Sequence, residues 1–537
     1  MRPLLGRLGG YLPAGIVLAL PTLFIPNLVD EFILPRASLV IAGASLGIGV
    51  ALLTPGGPGL GWLRWPVLAA AAAAILAFVF SISPPLSFAG SYSRYESLPV
   101  RLGYLGLLVA TVWLLREPRP RSWVVPAFVF GTAVACLEAL GQMSLRVGFR
   151  PDGNLGNANL LGALIAMAAP LAIARAWRGG RFAVAWWLAV AVMSGGLIAT
   201  VSRSGALGAF AGGLALLVFS LKGRLAFWAA VASTAAVLMA LIVVMVSPLR
   251  LLNDDPGPLR LHLWQDSLRF ISARPLTGWG EDATGLAFGR FLSGDWSPGV
   301  TFDRVHSGPL DLAATQGLLG LAALGLVLVI LLRGAWRSRF AGDVGALAAA
   351  GIGYTVWVLF NFDWAPATGV FWLLAGTAWS AVRAAEAGAS SASTSEAPAG
   401  RGPGLWRTGV AVALALLAVG LGAFPLLADA WYRQGRAELS VLVDPLQARY
   451  HWALGQGFVA QGKVERGVDE LRRAADLGET EPSLYVELGD REAQLGRLAD
   501  ARKHYQRALE IDPFYSPASQ RLAALLPASQ RLTALPK

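Results

Sequence analysis

Charge is the scarcest commodity in this chain. Asp, Glu, Lys and Arg together make 14% of its 537 residues, against about a quarter in an ordinary soluble domain. A surface that poor in charge excludes a chain wholly surrounded by water. Cys136 is the only cysteine, which rules out an intrachain disulfide and says nothing of redox compartment. The four histidines, His262, His306, His451 and His504, have neither close spacing nor cysteine partners, so the pattern argues against zinc. No G-x-S-x-G elbow surrounds Ser202, Ser204 or Ser307, which argues against a serine hydrolase. No D-x-D spacing joins the acids Asp254, Asp255, Glu281, Asp282, Asp295 and Asp303. They read as solvated loop acids rather than ligands of a hard cation.

What the chain has in abundance is apolar length. It is 55% hydrophobic, with a mean hydropathy of +0.56. On a ruler of about 20 residues per helical crossing, the runs fall at 11–29, 36–54, 64–81, 98–115, 122–142, 158–175, 182–200, 204–221, 225–247, 309–332, 342–361, 364–383 and 406–428. These predict an all-α, polytopic membrane bundle of about 13 spans. Arg2, Arg7 and the first run read as an uncleaved signal anchor. The expected organisation is N-terminal membrane helices over 1–247, a large loop over 248–308, further membrane helices over 309–429 with a flexible linker at 384–405, and a soluble module over 430–537.

The net charge of +11 is uneven. Residues 430–537 hold 15 basic and 14 acidic side chains, so the membrane part carries a net +10. If Arg2 and Arg7 are cytoplasmic, alternation puts Arg64, Arg116 to Arg121, Arg175 to Arg181, Lys222 and Arg224, Arg333 to Arg339, and Arg383 to Arg407 on that same side. That is the positive-inside pattern, and it accounts for the basic excess without nucleic acid. The large loop and the C-terminal module then face outward.

In that module Leu454-Gly455 recurs as Leu488-Gly489, Gly462 as Gly496 and Ala474 as Ala508. This 34-residue interval is the tetratricopeptide period, with glycine at the turn and alanine where two helices cross. Two repeats are predicted, at about 446–479 and 480–513. Pro517 to Leu525 is nearly copied at Pro527 to Leu535, as a capping helix and a tail.

Within the large loop, Arg260-Leu-His-Leu-Trp264, Pro275-Leu-Thr-Gly-Trp-Gly280 and Asp303-Arg-Val-His306-Ser307 stand out. They bring guanidinium groups, which match phosphate oxygens as a fork, to one membrane face beside an imidazole that titrates near neutrality. His306 is the first candidate for a general base; a helix-capping histidine is the plain alternative. Asp30-Glu31, between the first two runs, is the rival. His262, His451 and His504 read as structural. Arg203, in the tight turn Val201-Ser-Arg203-Ser-Gly205, is a charge at the membrane boundary and so either a functional group or an interfacial anchor.

With these residues in view, the chain resembles the O-antigen ligase and O-antigen polymerase superfamily, in particular members with C-terminal tetratricopeptide repeats. The resemblance spans about residues 80–385. It rests on Gly90-Ser-Tyr-Ser-Arg94-Tyr, Gly156-Asn-Ala-Asn159-Leu-Leu-Gly, Ser202-Arg203-Ser-Gly205, Arg260-x-x-x-Trp264 with Pro275-x-x-Gly278-x-Gly280, and Arg304-x-His306-Ser307 leading to Gly317-x-x-Gly320. Ser307 stands where many relatives have Asn. The resemblance implies a glycosyltransferase of the bacterial inner membrane. It would move a glycan from an undecaprenyl-pyrophosphate carrier to an acceptor hydroxyl, using neither metal nor nucleotide cofactor. It further implies that Arg203 and Arg260 bind pyrophosphate, that His306 assists acceptor attack, and that Arg94, Arg304 and Asp303 are secondary contacts. Ligase, polymerase and protein oligosaccharyltransferase remain open, as does the acceptor, whether glycan, lipid or protein. A lipid-carrier transporter and a scaffold acting through the repeats are the rivals of other classes.

Overall fold

The computed structural model describes residues 8–54, 59–145, 150–246, 257–296, 301–390 and 404–525. Arg2, Arg7, Asp254, Asp255, linker residues 391–403 and the second copy at 527–535 lie outside the described residues. Among the described residues there is no strand. In chain order the helices of the first part are α1 (Leu12–Thr22), α2 (Ile33–Leu53), α3 (Arg64–Val79), α4 (Pro84–Ala89), α5 (Leu98–Leu114), α6 (Pro118–Leu145), α7 (Ala158–Trp177), α8 (Ala183–Thr200), α9 (Arg203–Ser220) and α10 (Gly223–Val246). There follow α11 (Gly257–Ala273), α12 (Thr284–Ala287), α13 (Gly308–Arg337), α14 (Val344–Val358), α15 (Ala365–Ser390), α16 (Leu405–Leu417) and α17 (Phe424–Arg433). A π turn, Ala418–Ala423, joins the last two into one rod. Each of the thirteen apolar runs contains a helix, and nine of the described helices have the length and apolarity to cross a bilayer; α1, α5 and α14 are apolar but shorter. The first stretch of the expected linker is helical, since α15 continues to Ser390.

The bundle core is continuous through Val17, Leu20, Val40, Leu108, Phe128, Leu164, Trp357 and Leu373. Leu68, Phe130, Leu137, Leu188, Ile198, Met239, Val329 and Leu416 face outward. A belt of that kind is stable against hydrocarbon and not against water. Asp429 of α17 ties the wall together: its carboxylate accepts from the backbone amides of Val29 (2.7 Å) and Asp30 (3.1 Å) and from the Tyr92 hydroxyl (2.5 Å).

The large loop is more structured than its polarity predicts. It carries α11 and a small aromatic core in which Phe270 stacks on Trp279 with centroids 4.7 Å apart, walled by Phe288 and Phe291. Its segment Pro275–Gly280 fills a break in α13. Gly317 leaves the helix at φ 70° and ψ −172°, a region essentially confined to glycine. The backbone groups released there are met from the loop. Leu318 N–H donates to Pro275 O (2.7 Å), while Trp279 and Gly280 N–H donate to Ala314 O (2.9 Å) and Thr315 O (3.0 Å). A Cβ on Gly317 would lie 2.1 Å from Leu276 O. Gly317→Ala is therefore expected to lower stability by about 1–3 kcal/mol, read as an earlier melt in detergent. Gly325→Ala, in open space on the same helix, should change the melt little.

Beyond α17 come α18 (Ala437–Val443), the hairpins α19 (Ala448–Ala460) with α20 (Val464–Asp476) and α21 (Pro482–Gln494) with α22 (Leu498–Ile511), and α23 (Ser516–Ala524). Gly462 and Gly496 make the left-handed turns, and Ala474 and Ala508 are fully buried where helices cross. Two repeats have a small core of their own, and they extend it onto the rest of the chain. Gly478 sits against Leu86 and Ser83, Gly285 against Thr480, and Gly289 beneath Ile511. Arg290 and Glu510 pair at 2.5 Å.

Candidate functional site

Three of the candidates, His306, Arg94 and Arg304, stand against Phe362 in the turn between α14 and α15, with Asp303 joined to Arg94 and Arg260 to the same turn. The half-buried His306 ring stands edge-on to Phe362, with centroids 5.5 Å apart. The Arg94 guanidinium lies 5.1 Å from the Phe362 ring centre and 4.8 Å from that of Trp364. Its Nε donates to Asp303 Oδ2 at 2.5 Å. Arg260 reaches the same turn from α11, its Nη1 donating to Phe360 O. His306 holds φ at 55°, unusual for a non-glycine residue and an observed strain that points to function.

Beneath this cluster lies a network that polarity alone would not place indoors. Arg304 is fully buried. Its guanidinium pairs with Asp282 and, at 3.0 Å, with Asp311. Asp282 also accepts from the amide and hydroxyl of Ser91 at 2.8 and 3.2 Å, anchoring the segment that bears Arg94. Arg101 of α5 is the second buried cation. It pairs with Asp363 at 2.5 Å and with Glu281 at 3.1 Å, and stands 3.8 Å from Glu96. Gln316 donates to Glu281 at 2.5 Å and Tyr354 to Asp363 at 2.8 Å. Two guanidiniums thus tie the segments bearing Arg94, His306 and Phe362 to one another. Glu281 and Asp282 are buried, which corrects their reading as solvated acids. Arg304, expected as a secondary substrate contact, is committed inside the protein.

A second group forms at the start of α9. Ser202 caps that helix, accepting from Gly205 N–H at 3.2 Å, and donates to Asn159 Oδ1 at 2.9 Å. Arg150 donates to the same Asn159 oxygen at 3.2 Å and to Thr200 O at 3.0 Å. Asn157 in turn caps α7, accepting from Asn159 N–H at 2.8 Å. The Gly-Asn-Ala-Asn and Ser-Arg-Ser-Gly motifs are therefore one structural unit, with Arg203 opening α9. Val201, at φ 49°, is strained as a β-branched residue in the left-handed region. Gly208 lies against Gly353 and Gly212 against Ala349, so α9 and α14 run antiparallel. Arg203 accordingly sits at the end of the bundle where the Phe360–Trp364 turn follows α14. A helix start with its free amides favours an anion.

The opposite end of α14 is basic. Arg175 and Arg178 both bind Asp343 at 2.5 Å. The other proposed acids and histidines have structural partners. Asp30 accepts from Phe32 and Ile33 N–H at 3.2 and 2.8 Å, at the start of α2; burial pushes its carboxyl up. Glu31 pairs with Arg433 at 2.8 Å. His262 bonds Ser293 at 2.8 Å, His451 bonds Glu470 at 2.6 Å, and His504 is 3.4 Å from Glu492. Among the described residues no group of three or more His, Cys, Asp or Glu is disposed to hold a metal. Sequence reasoning missed Arg101, Asp363 and the Phe360–Trp364 turn. Arg101 did leave a signal, as a lone charge inside an apolar run.

Residues 188–325 match the family model described as O-antigen ligase, and residues 482–515 match a tetratricopeptide repeat. No curated protein matches the chain. The first match runs from α8 into α13 and includes Arg203, Arg260, Arg304 and His306; the second contains α21 and α22.

Proposed function

We propose, from the premise that this is a membrane protein of the O-antigen ligase type with a C-terminal tetratricopeptide repeat, that it transfers a glycan from an undecaprenyl-pyrophosphate carrier to an acceptor hydroxyl. The observation that carries this reading is the gathering of His306 and Arg94 about Phe362, with Arg260 fastened to the same turn. His306 takes the proton of the acceptor hydroxyl as its oxygen bonds to the anomeric carbon. The bond from that carbon to the carrier's phosphate oxygen breaks, and the pyrophosphate leaves with the electron pair. Arg203 and Arg260 meet the charge that develops there. Arg94, held by Asp303, is a further contact for phosphate or sugar. Arg304 acts as a positioning residue, given its two buried ion pairs. Direct displacement inverts the anomeric centre.

The basic end of α14 and the candidate site lie at opposite ends of one helix. The charge bias supports a site on the outer face of the bacterial inner membrane, with the repeats beside it. The repeats offer a surface to a protein partner.

The test is transfer in nanodiscs from purified lipid-linked glycan to a panel of acceptors, with mass analysis of the product. Arg203→Ala and Arg260→Ala are each expected to cut transfer about 10- to 100-fold, the worth of one charged hydrogen bond, with weaker carrier binding. Normal transfer in both variants would remove the pyrophosphate assignment. Carrier movement between leaflets with no new glycosidic bond would identify a transporter instead. Whether the product is capped lipid, longer glycan or modified protein separates ligase, polymerase and oligosaccharyltransferase.

A further inference from the structure

We propose that Glu96 keeps its proton in the working protein, and that as a neutral acid it is a positioning residue for the segment that carries Arg94. The second half of this statement rests on the transfer reading above; the first does not. Glu96 stands two residues after Arg94, just before α5, and is fully buried. One carboxyl oxygen accepts the Tyr104 hydroxyl at 2.5 Å. The other has no hydrogen-bond partner. Arg101, the nearest cation, stays 3.8 Å away, beyond hydrogen-bond reach.

The charges around Glu96 explain why. Arg101 and Tyr104 face it from α5, Arg304 from the segment before α13, Asp363 from the turn after α14 and Tyr354 from α14 itself; behind the two guanidiniums lie Glu281, Asp282 and Asp311, with Gln316 on Glu281. The two guanidiniums are already engaged by other carboxylates: Arg101 by Glu281 and Asp363, Arg304 by Asp282 and Asp311. Each of those four carboxylates holds a charged partner. A negative charge on Glu96 would be surplus to two cations, in the protein interior. A buried charge left uncompensated in that way is far more costly than a neutral acid. Burial accordingly pushes the Glu96 carboxyl up to about 8, against the pull of Arg101 and Arg304, with Asp363 adding to the rise. Protonated, the residue keeps its hydrogen bond with Tyr104 of α5 and so ties down the Arg94 segment without adding charge.

The isosteric amide tests this. The folded-state value lies above the unfolded value of about 4.3, so the folded protein takes up a proton between the two. Wild-type stability should therefore fall as pH rises from about 4.5 to about 8, then level off. Glu96→Gln lacks that slope. Its melting temperature in detergent should match wild type near pH 4.5 and exceed it by several degrees near pH 9. A melt of Glu96→Gln that tracks wild type in parallel across the range, or is lower throughout, overturns the proposal, since an ionised glutamate needs its charge. In the transfer assay, Glu96→Ala is expected to lose about tenfold or more, with Glu96→Gln restoring transfer to within a few-fold of wild type. Equal loss in both variants refutes the neutral acid. If wild type itself transfers nothing, the functional reading fails while the melting curves still report the proton.

Discussion

Replacing His306 with alanine is expected to reduce glycan transfer about 10²- to 10⁴-fold, the usual worth of a positioned base, while carrier binding persists. An acceptor hydroxyl is a poor nucleophile, and pyrophosphate is already a competent leaving group. In the proposed transfer, the step that most needs help is therefore removal of the hydroxyl proton. The imidazole is half-buried against Phe362, on a backbone held in a sparsely used conformation. Neither feature is needed by a histidine that merely starts a helix. Two measurements belong together: single-turnover transfer, and carrier affinity of the same variant. Loss of both in proportion would make His306 a binding residue. Unchanged transfer would remove the base altogether and return attention to the remaining carboxylates.

Arg304→Ala is expected to cost about 3–5 kcal/mol of stability, because it leaves Asp282 and Asp311 buried and without their cation. The variant should express poorly or melt far below wild type. Arg94→Ala gives the contrast. Its ion pair with Asp303 is partly exposed, so stability should change by no more than about 1 kcal/mol while transfer still suffers. Pairing Arg304→Met with Asp282→Asn and Asp311→Asn should recover much of the lost stability, since buried ion pairs exchange well for neutral groups of similar volume. A melt of Arg304→Ala equal to wild type would show that the two acids do not depend on it.

The parts of this protein that announce themselves in sequence are those with local, repeated signals. Apolar runs of crossing length are legible because helix and bilayer impose one ruler, and the 34-residue interval from Gly455 to Gly489 is legible because each hairpin reuses one packing solution. Arg94 and His306 could be flagged by residue type, but nothing in their spacing brings them to one aromatic ring. That convergence depends on Phe362, in a short turn between two apolar runs that reads as a mere connection. Glu281 and Asp282 are harder still. They look wet because they sit in a polar stretch. Their burial follows from the threading of Pro275–Gly280 into α13 and from the cover supplied by α4, whose Ser87 donates to Glu281 O, which no periodicity encodes. Arg101 marks the opposite case, a charge among leucines whose partners lie far along the chain.

The interrupted α13 also bears on how the protein is made. Amides of Leu318 and Leu319 are satisfied by Pro275 and Leu276 rather than by their own helix. In lipid a backbone N–H without an acceptor is scarcely tolerated. The ribosome delivers Pro275 and Leu276 well before Gly317, so the acceptors already exist when the helix that needs them reaches the translocon. Chain order thus supplies the acceptors before the donors, and a permuted gene that delivered α13 first would leave the Leu318 and Leu319 amides waiting for Pro275 and Leu276.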